Sequence, residues 1–93
     1  MMYSIYCLDV ANSKDLRDRF YAEHRDFIAS HSNFGITIVF AGPLVDDDGN
    51  ETGSLFIVEA ETKPAAKRFY MSDPFYKNGI WDSTEIIGVI RRR

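Results

Sequence analysis

Apolar and polar positions along the chain alternate in blocks that predict a regular order of strands and helices. Residues 2–9 are rich in aromatic and branched side chains, which favours a first strand. Residues 14–31 contain no glycine or proline and predict a long amphipathic helix, whose start Asn12 or Ser13 can cap. The inward side chains of that helix are Leu16, Phe20, Phe27 and Ile28, and the opposite face carries Arg17, Asp18, Arg25 and Asp26.

A β-hairpin is predicted after the first helix. Residues 36–41 form an apolar second strand, and we expect Gly42 and Pro43 to end it, because proline cannot donate to a sheet ladder. Residues 54–60 form the third strand. The polar, glycine-containing stretch 45–53 between the two strands is then the turn of the hairpin.

A second, shorter helix and a last strand complete the pattern. Thr62 can cap this helix, with Pro64 in the first turn, where its missing N–H does least harm. The helix stops before Pro74, because proline disfavours helical geometry in the residue before it. Residues 74–79 then form a loop or a single turn, and residues 81–90 supply the fourth strand.

The order β-α-β-β-α-β predicts one α+β domain of ferredoxin-like type over residues 1–93. Right-handed crossovers give a four-stranded antiparallel sheet with both helices on one face. We expect the two helices to follow central parallel strands and to run in the same direction. Because apolar residues occur on both faces of the sheet, the uncovered face is expected to pack on a second subunit, which predicts a homodimer.

Charge and composition exclude several classes of function. The formal net charge of -3 gives no general attraction to nucleic acid or to anionic membranes, and the terminal run Arg91–Arg93 is interpreted as a solvated tail. No signal peptide or membrane-spanning run is visible, so we predict a cytoplasmic protein. The single cysteine, Cys7, lies in an apolar strand pattern and is expected to be a buried thiol.

Two histidines lie at inward positions of the first helix. At roughly 100° per residue, His24 and His31 fall within about 80° of Phe20 and Phe27. A histidine on such a stripe is either a satisfied core residue or an acid/base group. The pattern alone leaves both interpretations open.

An acidic side chain, Asp73, ends the inward stripe of the second helix. Asp73 lies ten residues past Lys63, and His24 lies ten residues past Lys14. At about 1.5 Å per residue, both are about 15 Å along helices that we expect to be parallel, which predicts that they are neighbours. Asp9, at the end of the first strand, is the alternative partner of His24. Asp73 can also simply cap a turn.

No metal or cofactor motif is present. The acidic stretch Asp46–Glu51 is similar to a calcium loop, but its glycine falls at a ligand position and the twelfth-position glutamate is missing, so a hairpin loop is favoured. A phosphate-binding glycine loop, a Cys/His cluster and a nucleophilic serine motif are also missing. The sequence therefore favours chemistry without a cofactor, or no chemistry.

Short motifs along nearly the whole chain resemble those of the YciI-like family of the dimeric α/β-barrel superfamily. They are a first strand closing on Asp9, Glu23-His24, Gly35, Ala41-Gly42-Pro43-Leu44, Asp48-Gly49, Gly53-Ser54, Asp73-Pro74-Phe75 and Gly79. Each motif is short, and it is their order and spacing together that are specific. The resemblance implies a ferredoxin-like fold, a dimer joined through its sheets, and a pocket between the sheet and the helices.

The resemblance also implies a His/Asp acid-base pair, which matches His24 and Asp73, with Asp9 as the alternative. The implied activities are isomerase-like or lyase-like reactions on small cyclic or aromatic compounds. We therefore predict a cofactor-independent enzyme in which His24 moves a proton and Asp73 orients it. Tyr6, Phe75 and the Gly42-Pro43 backbone are expected to enclose the substrate. The alternatives are a non-catalytic module that binds a small ligand and a purely structural dimer.

Overall fold

The computed structural model describes residues 1–93 and contains the predicted strands and helices in the predicted order. The elements are β1 (Met2–Asp9), α1 (Lys14–Ala29), a 3₁₀ turn (His31–Phe34), β2 (Thr37–Val45), β3 (Glu51–Glu59), α2 (Lys63–Met71), α3 (Pro74–Lys77) and β4 (Trp81–Val89). The strands form one four-stranded sheet in the order β2-β3-β1-β4. None of the helices is both long enough and apolar enough to cross a bilayer.

Every pair of neighbouring strands is antiparallel, as the ferredoxin-like fold requires. The expectation of parallel central strands was wrong, because β1 and β3 form the centre of the sheet and run in opposite directions. The helices that follow these strands therefore run in opposite directions too. Equal distances along α1 and α2 do not place residues side by side, and any contact between His24 and Asp73 needs another explanation.

The β2 strand is longer than predicted, since it continues through Gly42 and Pro43 to Val45. It lies at the edge of the sheet, where the missing N–H of proline can face away from the ladder. Pro43 pairs with Ser54 of β3, and Ala41 pairs with Phe56. Side chains alternate between the two faces along a strand, and the buried Ser54 and Phe56 of β3 face the helices, so their partners Pro43 and Ala41 lie on the helix side of the sheet as well.

The core lies between the sheet and the helices. Each strand sends alternate residues to this side, so the rows Ala41-Phe56-Ile5-Ile86 and Pro43-Ser54-Cys7-Thr84 face the helices. Buried side chains of α2 and of the α3 region complete the core, namely Ala66, Phe69, Tyr70, Phe75, Ile80 and Trp81. In α1, by contrast, Leu16, Phe20, Phe27 and Ile28 are only partly buried, and the one fully buried residue is Arg17. Arg17 was predicted to face solvent.

Local capping follows the sequence in part. Thr62 caps α2 as predicted, because its hydroxyl accepts from the Ala65 N–H at 3.3 Å. Ser13 is the N-cap residue of α1, but its side chain turns away from the helix and donates to Asp9 instead. In the hairpin loop, the Asp46 carboxylate accepts from the backbone of Asp48 and Asn50, and these hydrogen bonds lower its pKa. The Asp46 oxygens thus stabilise a turn, as the hairpin interpretation requires.

The prediction of a buried Cys7 thiol is confirmed, since Cys7 is 0% exposed. Burial, followed by the charges of Asp73 and Asp9, raises the pKa of Cys7 from 9.0 to about 12. The folded chain therefore keeps this proton at a pH where the unfolded chain loses it.

Between pH 9 and 12 we expect the free energy of unfolding to fall by up to about 1.4 kcal/mol per pH unit through the Cys7 thiol. Urea unfolding at pH 8 to 10.5 measures the slope, and Cys7→Ala is expected to flatten it; equal slopes for both proteins would contradict the assignment.

Candidate active site

His24 and Asp73 form a hydrogen-bonded pair at a cavity between the sheet and α1. The distance between His24 Nδ1 and Asp73 Oδ1 is 2.8 Å. The Asp73 side chain is completely buried, whereas the His24 side chain is 15% exposed. A carboxylate acts only as an acceptor, so Nδ1 carries the proton of this bond and Nε2 of the neutral ring is left as an acceptor.

Asp73 is fixed by the start of α3 rather than by α2. It is the N-cap residue of the one-turn helix Pro74–Lys77, and its Oδ1 also accepts from the Phe75 N–H at 2.8 Å. The proline that ends α2 begins this turn and carries Asp73 toward α1. The pair therefore forms through the corner between α2 and α3, and not through the side-by-side parallel helices that the sequence argument assumed.

Aromatic rings fix the His24 imidazole in place. Its ring stacks on Phe75, with the ring centroids 4.0 Å apart and the planes 6° from parallel. Phe56 and Trp81 meet it edge-on, each with a centroid distance of 6.5 Å. Because the ring is packed on these sides and bonded through Nδ1, its orientation is defined, which a general base requires.

A buried arginine, Arg17, lines the same cavity two helical turns before His24. Arg17 forms a two-point ion pair with Asp9, with Nε 2.5 Å from Oδ2 and Nη2 3.0 Å from Oδ1. Its Nη2 also donates to the Gly53 carbonyl at 2.6 Å and to the Ser54 hydroxyl at 3.0 Å. The guanidinium carbon lies 5.1 Å from the centre of the Phe75 ring, so Phe75 contacts both Arg17 and His24.

The cavity has a volume of about 330 Å³, which suits a small molecule. Three aromatic side chains and two arginines contribute to its wall, together with the edge of the sheet. The lining residues are Arg17, Tyr21, His24, Arg25, Ile28, Ala41, Gly42, Pro43, Glu51, Ser54, Phe56 and Phe75. Such a wall combines apolar and aromatic side chains with hydrogen-bonding and charged groups.

Most of the site residues expected from the sequence meet at this cavity. His24, Gly42, Pro43 and Phe75 line it, and Asp73 lies directly behind His24. Asp9 is not the partner of His24, because its two oxygens bind Arg17 and one of them also accepts from the Ser13 hydroxyl.

Tyr6 lies away from the cavity. The residues on either side of it in β1, Ile5 and Cys7, are both 0% exposed under the helices. Successive side chains of a strand point to opposite faces, so Tyr6 projects from the other face of the sheet, where it is 40% exposed. The expectation that Tyr6 encloses the substrate within this chain was therefore wrong.

Arg17 and Ser54 are site residues that the sequence argument missed. Arg17 precedes His24 by seven residues, which is two helical turns, so the two share one stripe of α1. That spacing was available in the sequence, but a charged side chain was assigned to the solvent face. Ser54 pairs with Cys7 in the strand register and so shares its inward direction.

Comparisons with known proteins identify the family of this chain and a similar solved structure. The family model of the YCII-related domain matches residues 1–90. A similar solved structure is the 5-chloro-2-hydroxyhydroquinone dehydrochlorinase TftG from Burkholderia phenoliruptrix AC1100, in complex with 2,5-dihydroxybenzoquinone. The two chains are 29% identical with a TM-score of 0.84, and the alignment covers 97% of this chain and 94% of that one. No curated protein is similar enough to count as a match.

The hydrogen bond between His24 and Asp73 can be tested without a substrate. In long-range proton-nitrogen NMR spectra of the neutral ring, we expect His24 Nδ1 to carry the proton and Nε2 to be the bare nitrogen. Asp73→Asn removes the charged acceptor, so the preference for that tautomer should weaken or disappear. His31, whose Nδ1 contacts the Ile28 carbonyl, is the internal control and should not change. A His24 tautomer that is identical in both proteins would contradict the pairing.

Proposed function

Because the chain belongs to the YCII-related domain family, as the match over residues 1–90 shows, we propose that it is a small-molecule enzyme of lyase type. Its substrate is a small, oxygen-substituted ring, and His24 is the general base. The family resemblance seen in the sequence is thus confirmed, and family membership makes an enzymatic activity the starting hypothesis. The proposed reaction is supported by the geometry of the candidate active site.

The observation that carries the proposal is the geometry of His24. Its Nδ1 is bound to a buried carboxylate at 2.8 Å, and the ring lines the cavity. When Nε2 takes a proton from a ligand, the imidazolium lies beside a negative charge that water does not screen. This arrangement stabilises the protonated ring at the moment of transfer, and it fixes which nitrogen receives the proton.

Elimination from a hydroxylated ring needs only such a proton carrier. His24 takes a proton from a ring hydroxyl, the oxygen forms a C=O bond, and the imidazolium returns the proton to the ring carbon that bears the leaving group. A second hydroxyl then gives its proton to solvent water, its oxygen forms a second C=O bond, and the leaving group departs with its bonding electrons. The net loss is one proton and one anion such as chloride, so the step needs no oxidant.

The dehydrochlorinase TftG supports this choice of substrate class, since that protein was solved with 2,5-dihydroxybenzoquinone. In this chain the cavity wall combines aromatic side chains, among them Tyr21, Phe56 and Phe75, with Arg17 and Arg25. The volume of about 330 Å³ accommodates a single substituted ring. A chlorinated trihydroxybenzene is therefore the first compound to test.

His24→Gln is expected to lower the rate of chloride release from 5-chloro-2-hydroxyhydroquinone by roughly 10²- to 10⁴-fold, the usual contribution of a general base. Chloride release and quinone absorbance give two independent measures of turnover. His31→Gln is the matched control, because it makes the same change in a histidine outside the cavity, and it should keep the wild-type rate.

Two results would count against the enzyme. Equal chloride release by wild type and His24→Gln would remove His24 as the base. Binding of hydroxyquinones by wild type, without turnover of any chlorinated or hydroxylated ring, would favour the alternative of a non-catalytic module that binds a small ligand.

We further propose that the chain forms a homodimer through the face of the sheet that the helices leave uncovered. Large apolar side chains are exposed there: Tyr6 at 40%, Leu8 at 38%, Phe40 at 51% and Ile87 at 57%. The register places Phe40, Ile57 and Ile87 in one row across the sheet. A second copy offers a surface of the same chemistry and the same twist, and a two-fold axis lets each copy cover the other.

Ile87→Lys is expected to shift the chain from dimer to monomer in sedimentation velocity at micromolar concentration, because two charges would be buried at the interface. Met71→Lys is the control on the helical side, where Met71 is 45% exposed. It should leave the sedimentation coefficient unchanged. A monomeric wild type would contradict the proposed interface.

A further inference from the structure

Most hydrogen-bond donors of Arg17 are already used within the protein, and the remaining ones face the cavity. Nε and Nη2 donate to Asp9, and Nη2 also donates to Gly53 and Ser54. Nη1 has two N–H groups and only one contact, at 3.5 Å, with Glu51. The Glu51 side chain is 50% exposed, so this long contact can be exchanged for a ligand.

The Ser54 hydroxyl has a spare donor beside the same guanidinium. Its oxygen accepts from Arg17 Nη2 at 3.0 Å, and its own proton has no acceptor among the hydrogen bonds of the protein. Ser54 is 3% exposed and lines the cavity. A buried O–H beside the guanidinium that carries Nη1, whose single contact is the long one to Glu51, defines a place where one oxygen can receive hydrogen bonds from two directions.

We infer that Arg17 and Ser54 form an oxygen-binding site that holds the substrate about two helical turns away from His24 and selects rings with an ionised oxygen at that point. The inference rests on the proposed function and adds the substrate class. The imidazole and the guanidinium lie 4.0 Å and 5.1 Å from the centre of the Phe75 ring, so the two groups are close enough for one small ring to reach both. The substrate then has an oxygen at each end, as in a ring with para oxygens.

The rigid attachment of Arg17 matters for this role. Asp9 binds the guanidinium at two points, and the carbonyl of Gly53 binds it at a third. The Arg17 side chain therefore loses less conformational entropy on binding a ligand than a surface arginine does. Donors held in place before the reaction stabilise negative charge on an oxygen as it develops, because they need not reorganise.

Calorimetric titration with two probes tests the site. The first probe, 2,5-dihydroxybenzoquinone, is ionised at neutral pH, and the second, hydroquinone, is neutral. For Arg17→Lys and for Ser54→Ala we expect the affinity for the ionised probe to fall about tenfold or more, since hydrogen bonds to charged groups contribute about 1.5–3 kcal/mol. The affinity for hydroquinone should change by less than about threefold in both variants.

Two controls make the titration decisive. Arg19→Lys makes the same substitution at an exposed position of α1 and should bind both probes as wild type does. Ser54→Ala leaves the ion pair between Arg17 and Asp9 in place, so it answers the question even where Arg17→Lys destabilises the fold. The Ser54→Ala melting temperature, measured in parallel, should stay close to that of wild type.

The outcomes separate this inference from the proposed function. If wild type binds the ionised probe and both variants bind it equally well, the oxygen-binding site is wrong while the enzyme proposal stands. If His24→Gln binds the probe as wild type does but releases no chloride, base and oxygen site have separate roles, as inferred. If wild type binds neither probe, both the inference and its substrate class are wrong.

Discussion

The burial of one carboxylate, that of Asp73, links the fold of this chain to its candidate site. A charge that is 0% exposed is costly unless donors surround it. The Phe75 N–H and His24 Nδ1 both donate to Oδ1, while Oδ2 is buried with no partner in the protein. The first donor begins α3 and the second belongs to α1. Satisfying the carboxylate therefore requires that the corner after α2 pack against the middle of α1.

A second buried charge, Arg17, is satisfied at the other end of the same helix face. Its partner Asp9 closes β1, and the side-chain accessibilities of the two are 9% and 3%. Since both ion pairs involve α1 and both contact Phe75, they fix the helix against the sheet at two points two turns apart. The inward side of α1 therefore mixes the polar Arg17 and His24 with partly buried apolar residues, among them Phe20 and Phe27.

Sequence patterns predicted the parts of the structure that depend on the alternation of apolar residues. The element order, the capping of α2 by Thr62 and the burial of Cys7 follow from local spacing. The pairing of His24 with Asp73 was expected from an incorrect premise, parallel helices. The actual cause is the Asp-Pro corner, which starts a new helical turn. Spacing along two helices cannot reveal such a corner, because it depends on how the chain leaves the second one.

Two residues, Arg17 and Tyr6, face the opposite way from the one that the sequence rules predicted. Arg17 was assigned to solvent because a charged side chain is seldom buried, and the rule fails here because Asp9, Gly53 and Ser54 all accept from it. Tyr6 was expected to enclose the substrate, although the inward direction of its neighbours Ile5 and Cys7 fixes its own direction as outward. An inward polar residue therefore carries more functional information than an outward aromatic one, since the fold keeps it only where specific partners offset its desolvation.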